Sequence, residues 1–198
     1  MISKILVLFV GLLPFNNAFA QTIDRAIPDF TLVNVINNQS VSLFDYENSK
    51  AIVVIFMSNN CPYAKLYEQR ILNLYTKYSN NRISFLLINS NNSSLTDVDN
   101  IMRMKIKAGK LDYPFPYLAD KENLAMNIFK AEKTPEVFVL SKKKDELITF
   151  YHGAIDDSPQ AADLVKSNYI ELALNNILQD KPAPIQYKRP VGCRIKTD

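Results

Sequence analysis

Seven apolar residues run without a break from Ala51 to Met57, β-branched in the middle, and four residues later Cys61-Pro62 opens an amphipathic stretch. A short, fully apolar run of this kind reads as a central strand buried on both faces. Pro62 fits the first helical position. Tyr63, Tyr67, Ile71, Leu74, Tyr75 and Tyr78 then fall on one face, which predicts a helix from Pro62 to about Tyr78. Ile83 to Ile88 reads as a second buried strand. Strand, helix and strand make a βαβ unit with a right-handed crossover. That unit commits the chain to an open α/β sheet. It also carries the loop Ser58-Asn59-Asn60-Cys61 past the carboxyl ends of the strands, where such sheets present their sites.

The remaining elements follow from the same periodicities. Phe30 to Val35 alternates, Asn37-Asn38 is a turn signal, and Val41 to Leu43 returns as a hairpin. Asn89 to Asn92 reads as a loop. Thr96-x-x-Asp99 resembles a capping box for a helix with Val98, Ile101 and Met102 inward, ending near Gly109. Asp120 caps a shorter helix bearing Leu124, Ala125 and Ile128. Val137 to Leu140 and Leu147 to Tyr151 form an antiparallel hairpin around a polar tip, Lys142-Lys143-Lys144-Asp145-Glu146. Asp156-Asp157 reads as turn and helix-start residues. Ser158-Pro159 then starts a last helix to about Leu178, with Ala162, Val165, Tyr169, Leu172 and Ala173 inward. The tail after Asp180 carries Pro182, Pro184 and Pro190, and is expected to be extended and not packed as an element.

Residues 1–20 have the form of an export signal. Lys4 is a positive n-region, Ile5 to Phe15 an apolar h-region, and Ala18-Phe19-Ala20 a small-x-small cleavage site. The expectation is a mature protein that starts at Gln21, has no membrane span, and is periplasmic or secreted from a bacterium. The domain is then 21–180 and the tail 181–198. Removing the leader leaves 22 basic against 20 acidic residues, which offers nothing to a nucleic acid. Two cysteines and one histidine make a protein-built zinc site an unsuitable reading, and no cofactor is expected. His152 is given no role.

Cys61 is the residue most suited to chemistry. At a helix start its sulfur meets unpaired N–H groups and the positive end of the dipole, and both favour the thiolate. Lys65, one turn on, adds positive charge.

The segment Phe56-Met57-Ser58-Asn59-Asn60-Cys61-Pro62-Tyr63-Ala64-Lys65 resembles the active-site segment of the peroxiredoxin-like, redoxin-type (AhpC/TSA) branch of the thioredoxin-like superfamily. Other matching segments follow in order: Pro28-Asp29-Phe30, Ile88-Asn89-Ser90-Asn91, Phe115 to Asp120, Thr134 to Phe138, Tyr151 to Asp157 and Val191 to Lys196. The resemblance implies a thioredoxin-like fold with an N-terminal β-hairpin and an insertion before the cis-Pro strand pair. It implies that Thr134-Pro135 is the cis-proline turn facing Cys61, offering with Tyr63 a surface to an extended substrate. Ser58 and Pro62 support the cysteine. There are departures. Ala64 stands where thioredoxin has its second cysteine. Val54 stands where peroxiredoxins have a proline, and no arginine appears near Thr134-Pro135 in the sequence.

Cys193 lies fourteen residues beyond Gln179. Extended, such a tail reaches about 43 Å, against a radius of gyration of about 16 Å for a domain of this size. Cys193 can therefore pair with Cys61, as a resolving cysteine or as a permanent staple. Three functions follow as expectations. The first is an exported thiol–disulfide oxidoreductase acting on protein or small-molecule disulfides, with an external thiol as reductant. The second is a thiol peroxidase, and the third a non-enzymatic binding module with a structural disulfide.

Overall fold

A computed structural model describes residues 25–91 and 97–197. The expected export signal at 1–20, Asn92 and Thr96 lie outside the described residues. The strands are β1 (Thr31–Asn34), β2 (Ser40–Ser42), β3 (Ala51–Phe56), β4 (Ile83–Asn89), β5 (Tyr117–Ala119), β6 (Lys133–Thr134), β7 (Glu136–Lys143), β8 (Glu146–Gly153), β9 (Tyr187–Lys188) and β10 (Cys193–Arg194). The helices are α1 (Pro62–Tyr78), α2 (Ile101–Lys110), α3 (Leu124–Phe129) and α4 (Tyr169–Leu178). Eight strands form one sheet in the order β2-β1-β5-β4-β3-β7-β8-β9, and β10 pairs with β6 alone. β3, β4 and β5 run parallel, while β7 is antiparallel to β3.

The apolar run of β3 is continuous because both faces of the sheet are covered. Val53 and Ile55 enter a layer with Tyr67, Ile71 and Leu74 of α1 and with Ala173 and Leu174 of α4. Ile52, Val54 and Phe56 enter the opposite layer with Leu32, Ala125 and Phe129. Strand β4 divides the same way. At the hairpin tip Lys144 and Asp145 both take positive φ, the conformation of a two-residue turn that matches strand twist. No helix among the described residues is long and apolar enough to cross a membrane.

Several expectations are corrected. Helix α2 starts at Ile101, capped by the Asn100 side chain, which accepts from the amide of Arg103. The preceding residues 97–99 make a 3₁₀ turn, and this shift in phase turns Met104 and Ala108 inward. Val98 and Ile101 are exposed, and Met102 is 65% exposed. Helix α4 begins ten residues late, because Ser158 belongs to a turn. Its amide donates to Asp156 and its hydroxyl to the carbonyl of Ala161. Asn168 caps α4 instead, so Ala162 and Leu172 face solvent. Asp157 accepts from the amide of Lys166 within the same irregular segment and starts no helix. Of the expected loop, Asn89 instead ends β4, and Asn89, Ser90 and Asn91 are all buried. In the short helix α3, Leu124 faces out while Ala125 and Phe129 face in. Asp120 does serve it, accepting from the amides of Ala125 and Met126.

The tail is extended, yet it packs as two strands. Tyr187 and Lys188 run parallel to β8 opposite His152 and Gly153. Gly153 has φ +124°, and a Cβ there would collide with the carbonyl oxygen of Lys188. Only glycine lets β9 approach β8. Further on, β10 runs antiparallel to β6, pairing Cys193 with Thr134 and Arg194 with Lys133.

Candidate active site

Cys61 is the N-cap of α1, with φ −74° and ψ 121°, and Pro62 follows as the first helical residue. The carbonyl of Cys61 accepts the first helical hydrogen bond, from the amide of Lys65. Its sulfur makes no capping bond, and the side chain is 3% exposed. The loop before it is held from below. The hydroxyl of Ser58 accepts from the amides of Asn60 and Cys61 at 3.1 and 3.3 Å. The same hydroxyl donates to Asp99 at 3.1 Å.

Asp99 is the hub of this region and has no exposed surface. Besides Ser58 it accepts from the amide of Asn59 at 2.7 Å, from Asn89 Nδ2 at 2.8 Å and from Asn91 Nδ2 at 3.3 Å. Tyr117 donates its hydroxyl to Asn59 Oδ1, and burial pushes that phenol well above its ordinary pKa. Lys121 donates to the carbonyls of Asp99 and Asn91. Burial of its ammonium lowers its pKa, against the opposing pull of Asp99 and Asp120. A buried carboxylate met by several donors fixes geometry, since each donor would be costly to strand. The loop that ends in Cys61 is therefore a rigid element.

The peptide bond between Thr134 and Pro135 is cis, and the carbonyl oxygen of Thr134 lies 3.0 Å from Cys61 Sγ. The hydroxyl of Thr134 is buried with no hydrogen-bond partner. Opposite Thr134 in the β6–β10 register stands Cys193, and its sulfur is bonded to that of Cys61. The Cα atoms of the pair are 5.8 Å apart across 132 residues of sequence. A cavity of about 200 Å³ opens on the disulfide, lined by Ser58, Asp99, Arg194 and Lys196 among others. Sequence reading finds no arginine near the cis-proline turn. The fold brings one from the tail, because β10 sets Arg194 beside Lys133.

The fold thus gathers Cys61, Cys193, Ser58, Pro62, Thr134 and Pro135. It leaves Tyr63 half-buried against the apolar layer under α1, and it turns Lys65 into a separate groove with Glu68 and Lys107. Neither lines the disulfide cavity. Sequence reading gives Asp99 only a part in a capping box and gives Asn89 and Asn91 to a loop, because a run of asparagines suits one, and it assigns Arg194 nothing. A second buried cluster lies beyond Pro135. Asp156 accepts from Tyr67 Oη at 2.7 Å and from Arg70 at 2.8 Å, and burial with this bond raises the Tyr67 pKa. Among the described residues no three His, Cys, Asp or Glu gather as a metal site.

The model of the AhpC/TSA family matches residues 23–145. The chain belongs to the AhpC/TSA family. Cys61 lies inside the matched segment of this AhpC/TSA protein and Cys193 outside it. An uncharacterized conserved protein from Geobacillus kaustophilus is 33% identical, with 88% of this chain and 91% of that one covered and a TM-score of 0.81. A hypothetical protein from Sinorhizobium meliloti 1021 is 25% identical, covers 89% and 95%, and has a TM-score of 0.82. The peroxidoxin BcpB from Mycobacterium tuberculosis, 12% identical over 80% and 94% with a TM-score of 0.56, shares the thioredoxin-like fold. No curated protein matches the chain.

Proposed function

We propose that this AhpC/TSA protein is an exported thiol–disulfide oxidoreductase in which Cys61 attacks and Cys193 resolves. The observation that carries the reading is the Cys61–Cys193 bond itself. It joins a helix N-cap to a tail held in register by a strand of only two residues, so opening it asks for local release and not for unfolding. Once the bond is reduced, the N-terminus of α1 favours the Cys61 thiolate. That thiolate attacks one sulfur of a protein or small-molecule disulfide, the substrate's S–S bond breaks, its other sulfur leaves as a thiolate that takes up a proton, and a mixed disulfide with Cys61 remains. Cys193 then attacks the Cys61 sulfur, releases the substrate thiol and restores the resting bond. Two electrons pass from protein to substrate, and an external thiol returns them. The leader at 1–20 supports export.

The test is the reduction potential of the Cys61–Cys193 couple in a glutathione titration. Structural bridges of secreted proteins lie below about −300 mV, and catalytic ones lie higher. A potential above that line is expected. A value below it would make the bond a staple and the fold a binding module.

Thiol peroxidase chemistry is the second reading, favoured by the family and by Arg194 beside the disulfide. In it the Cys61 thiolate reduces a peroxide and becomes a sulfenic acid, which Cys193 condenses to the disulfide with loss of water. Peroxide consumption by the reduced protein, measured against consumption of a small disulfide, separates the two.

A further inference from the structure

Strand β6 has two residues, and its partner among the described strands is the chain's own tail. A two-residue strand beside a cysteine is a backbone edge of the kind that takes an added strand from an extended peptide. In the oxidised protein that place is filled. Cys193 stands opposite Thr134 with its sulfur bonded to Cys61. The amide of Ile195 donates to the carbonyl of Glu132 at 2.9 Å, and the amide of Lys196 donates to Asn91 Oδ1 at 2.8 Å. The tail therefore has the geometry of a peptide joined to Cys61 by a mixed disulfide.

Two positions of this bound segment are read by more than backbone. Before the cysteine stands Gly192. A Cβ there would meet the carbonyl oxygen of Thr134 at 2.3 Å and its carbon at 2.7 Å. Those atoms belong to the backbone of the cis-proline turn, itself packed against Cys61, and cannot swing aside as a side chain would. Two residues after the cysteine stands Ile195, 6% exposed within the apolar layer that holds Leu118, Ala125 and Phe129. Arg194, between the cysteine and Ile195, is exposed. Backbone contact refuses any side chain at the first position, and an apolar slot favours an aliphatic one at the last.

We infer that the tail is a built-in copy of the substrate: the Thr134 edge takes an extended peptide disulfide of pattern glycine-cysteine-any-aliphatic, and the tail holds that edge closed in the oxidised protein. The inference rests on the oxidoreductase reading above. In the reduced protein the tail is no longer bonded to Cys61 and gives way to the peptide. The Cys61 thiolate attacks the peptide sulfur, that sulfur's bond to its former partner breaks, and the partner leaves as a thiolate that takes up a proton. The tail then returns. The Cys193 thiolate attacks the Cys61 sulfur, and the peptide departs as a free thiol. Resolution is thus an exchange of one strand for another on a single edge.

The test uses the full-length reduced protein and three capped peptides. They read Val-Gly-Cys-Arg-Ile-Lys, Val-Ala-Cys-Arg-Ile-Lys and Val-Gly-Cys-Arg-Ser-Lys, each with thionitrobenzoate disulfide-linked to its cysteine. Release of the coloured thiol gives the rate, and the symmetric aromatic disulfide serves as a small substrate without a peptide. The alanine peptide is expected to react more slowly than the first by about tenfold or more, as overpacking against backbone requires. The serine peptide is expected to lose about tenfold through the emptied apolar slot. In the full chain, G192A should speed reaction with the first peptide and slow closure of the protein's own disulfide. Equal rates for the three peptides, with the small disulfide also reacting, would overturn the edge reading and leave the oxidoreductase standing. No reaction with any of the four would overturn both.

Discussion

Ser58 and Asp99 are 41 residues apart in sequence and joined by a hydrogen bond of 3.1 Å directly beneath Cys61. The Ser58 hydroxyl also accepts from the Cys61 amide, so the carboxylate of one loop sets the position of the cysteine in another. Asp99→Ala strands the amide of Asn59, the Ser58 hydroxyl proton and Asn91 Nδ2, and leaves Asn89 Nδ2 with the Tyr117 hydroxyl alone. A stranded buried donor costs about 1–3 kcal/mol, and the effects overlap within one network, so a loss of about 3–5 kcal/mol is expected. Asp99→Asn keeps shape and part of the acceptor capacity and should lose less. Urea unfolding of both variants checks the order. If the alanine variant were as stable as wild type, the hub would be no hub.

The unpartnered hydroxyl of Thr134 leads to the opposite sign. A buried hydroxyl with no partner carries a desolvation cost and returns nothing. Thr134→Val keeps the shape and removes the hydroxyl, so it should stabilise the oxidised protein by about 1 kcal/mol. The same substitution should slow alkylation of Cys61 in the reduced protein if the hydroxyl turns to the thiolate once the disulfide opens. A thermal melt reads the first effect and an iodoacetamide rate the second. A destabilised valine variant would contradict the first expectation.

The disulfide closes a loop between cysteines 132 positions apart in sequence. In the chain-entropy model such a loop lowers the entropy of the unfolded chain enough to stabilise the fold by about 5 kcal/mol. Reduction, or Cys193→Ser, should lower the urea midpoint accordingly while the far-UV spectrum persists, because both apolar layers are built from other elements. Matched unfolding curves with and without reductant measure the difference. Coincident curves would mean that the tail constrains nothing in the unfolded chain.

The strand–cysteine–helix junction was legible because each part obeys a local rule. Ala51 to Phe56 is apolar at every position since both faces are covered, and Pro62 can occupy only a helix start or a turn. The Cys61–Cys193 pairing was legible as reach, and the two-strand path of the tail was not. Tyr187-Lys188 and Cys193-Arg194 are too short to show a period of two, and their pairing depends on Gly153 and Gly192, where backbone meets backbone. Asp99 is misplaced for a related reason. The spacing Thr96-x-x-Asp99 suits a capping box, and only the fold shows that the Asp99 carboxylate turns inward to Asn89 at the end of β4 and to Asn91 just beyond it. Ser158-Pro159 failed likewise. Asp156, bound to Tyr67 and Arg70, draws the Ser158 amide into a turn before a helix can begin.

His152 couples this tail to pH. Its ring stacks on Phe138 of β7 at 5.5 Å between centroids and meets Tyr187 of β9 at 4.6 Å. Burial lowers its pKa below the ordinary value of 6.5. The folded protein therefore prefers the neutral ring, while the unfolded chain takes up a proton as pH falls through about 6.5. Between those two values the unfolded state binds more protons, so stability is complete above about pH 6.5 and is lost on acidification below it. Because Tyr187 anchors the first strand of the tail, the loss should appear early as faster hydrogen exchange in β9. His152→Phe keeps a ring between Phe138 and Tyr187 and removes the titration. Its melting temperature should change less than that of wild type between pH 7.5 and pH 5.5, a window above the range where ordinary carboxylates titrate. An identical change in both proteins would mean that acid sensitivity in this window arises elsewhere, and that the His152–Tyr187 contact tolerates an imidazolium.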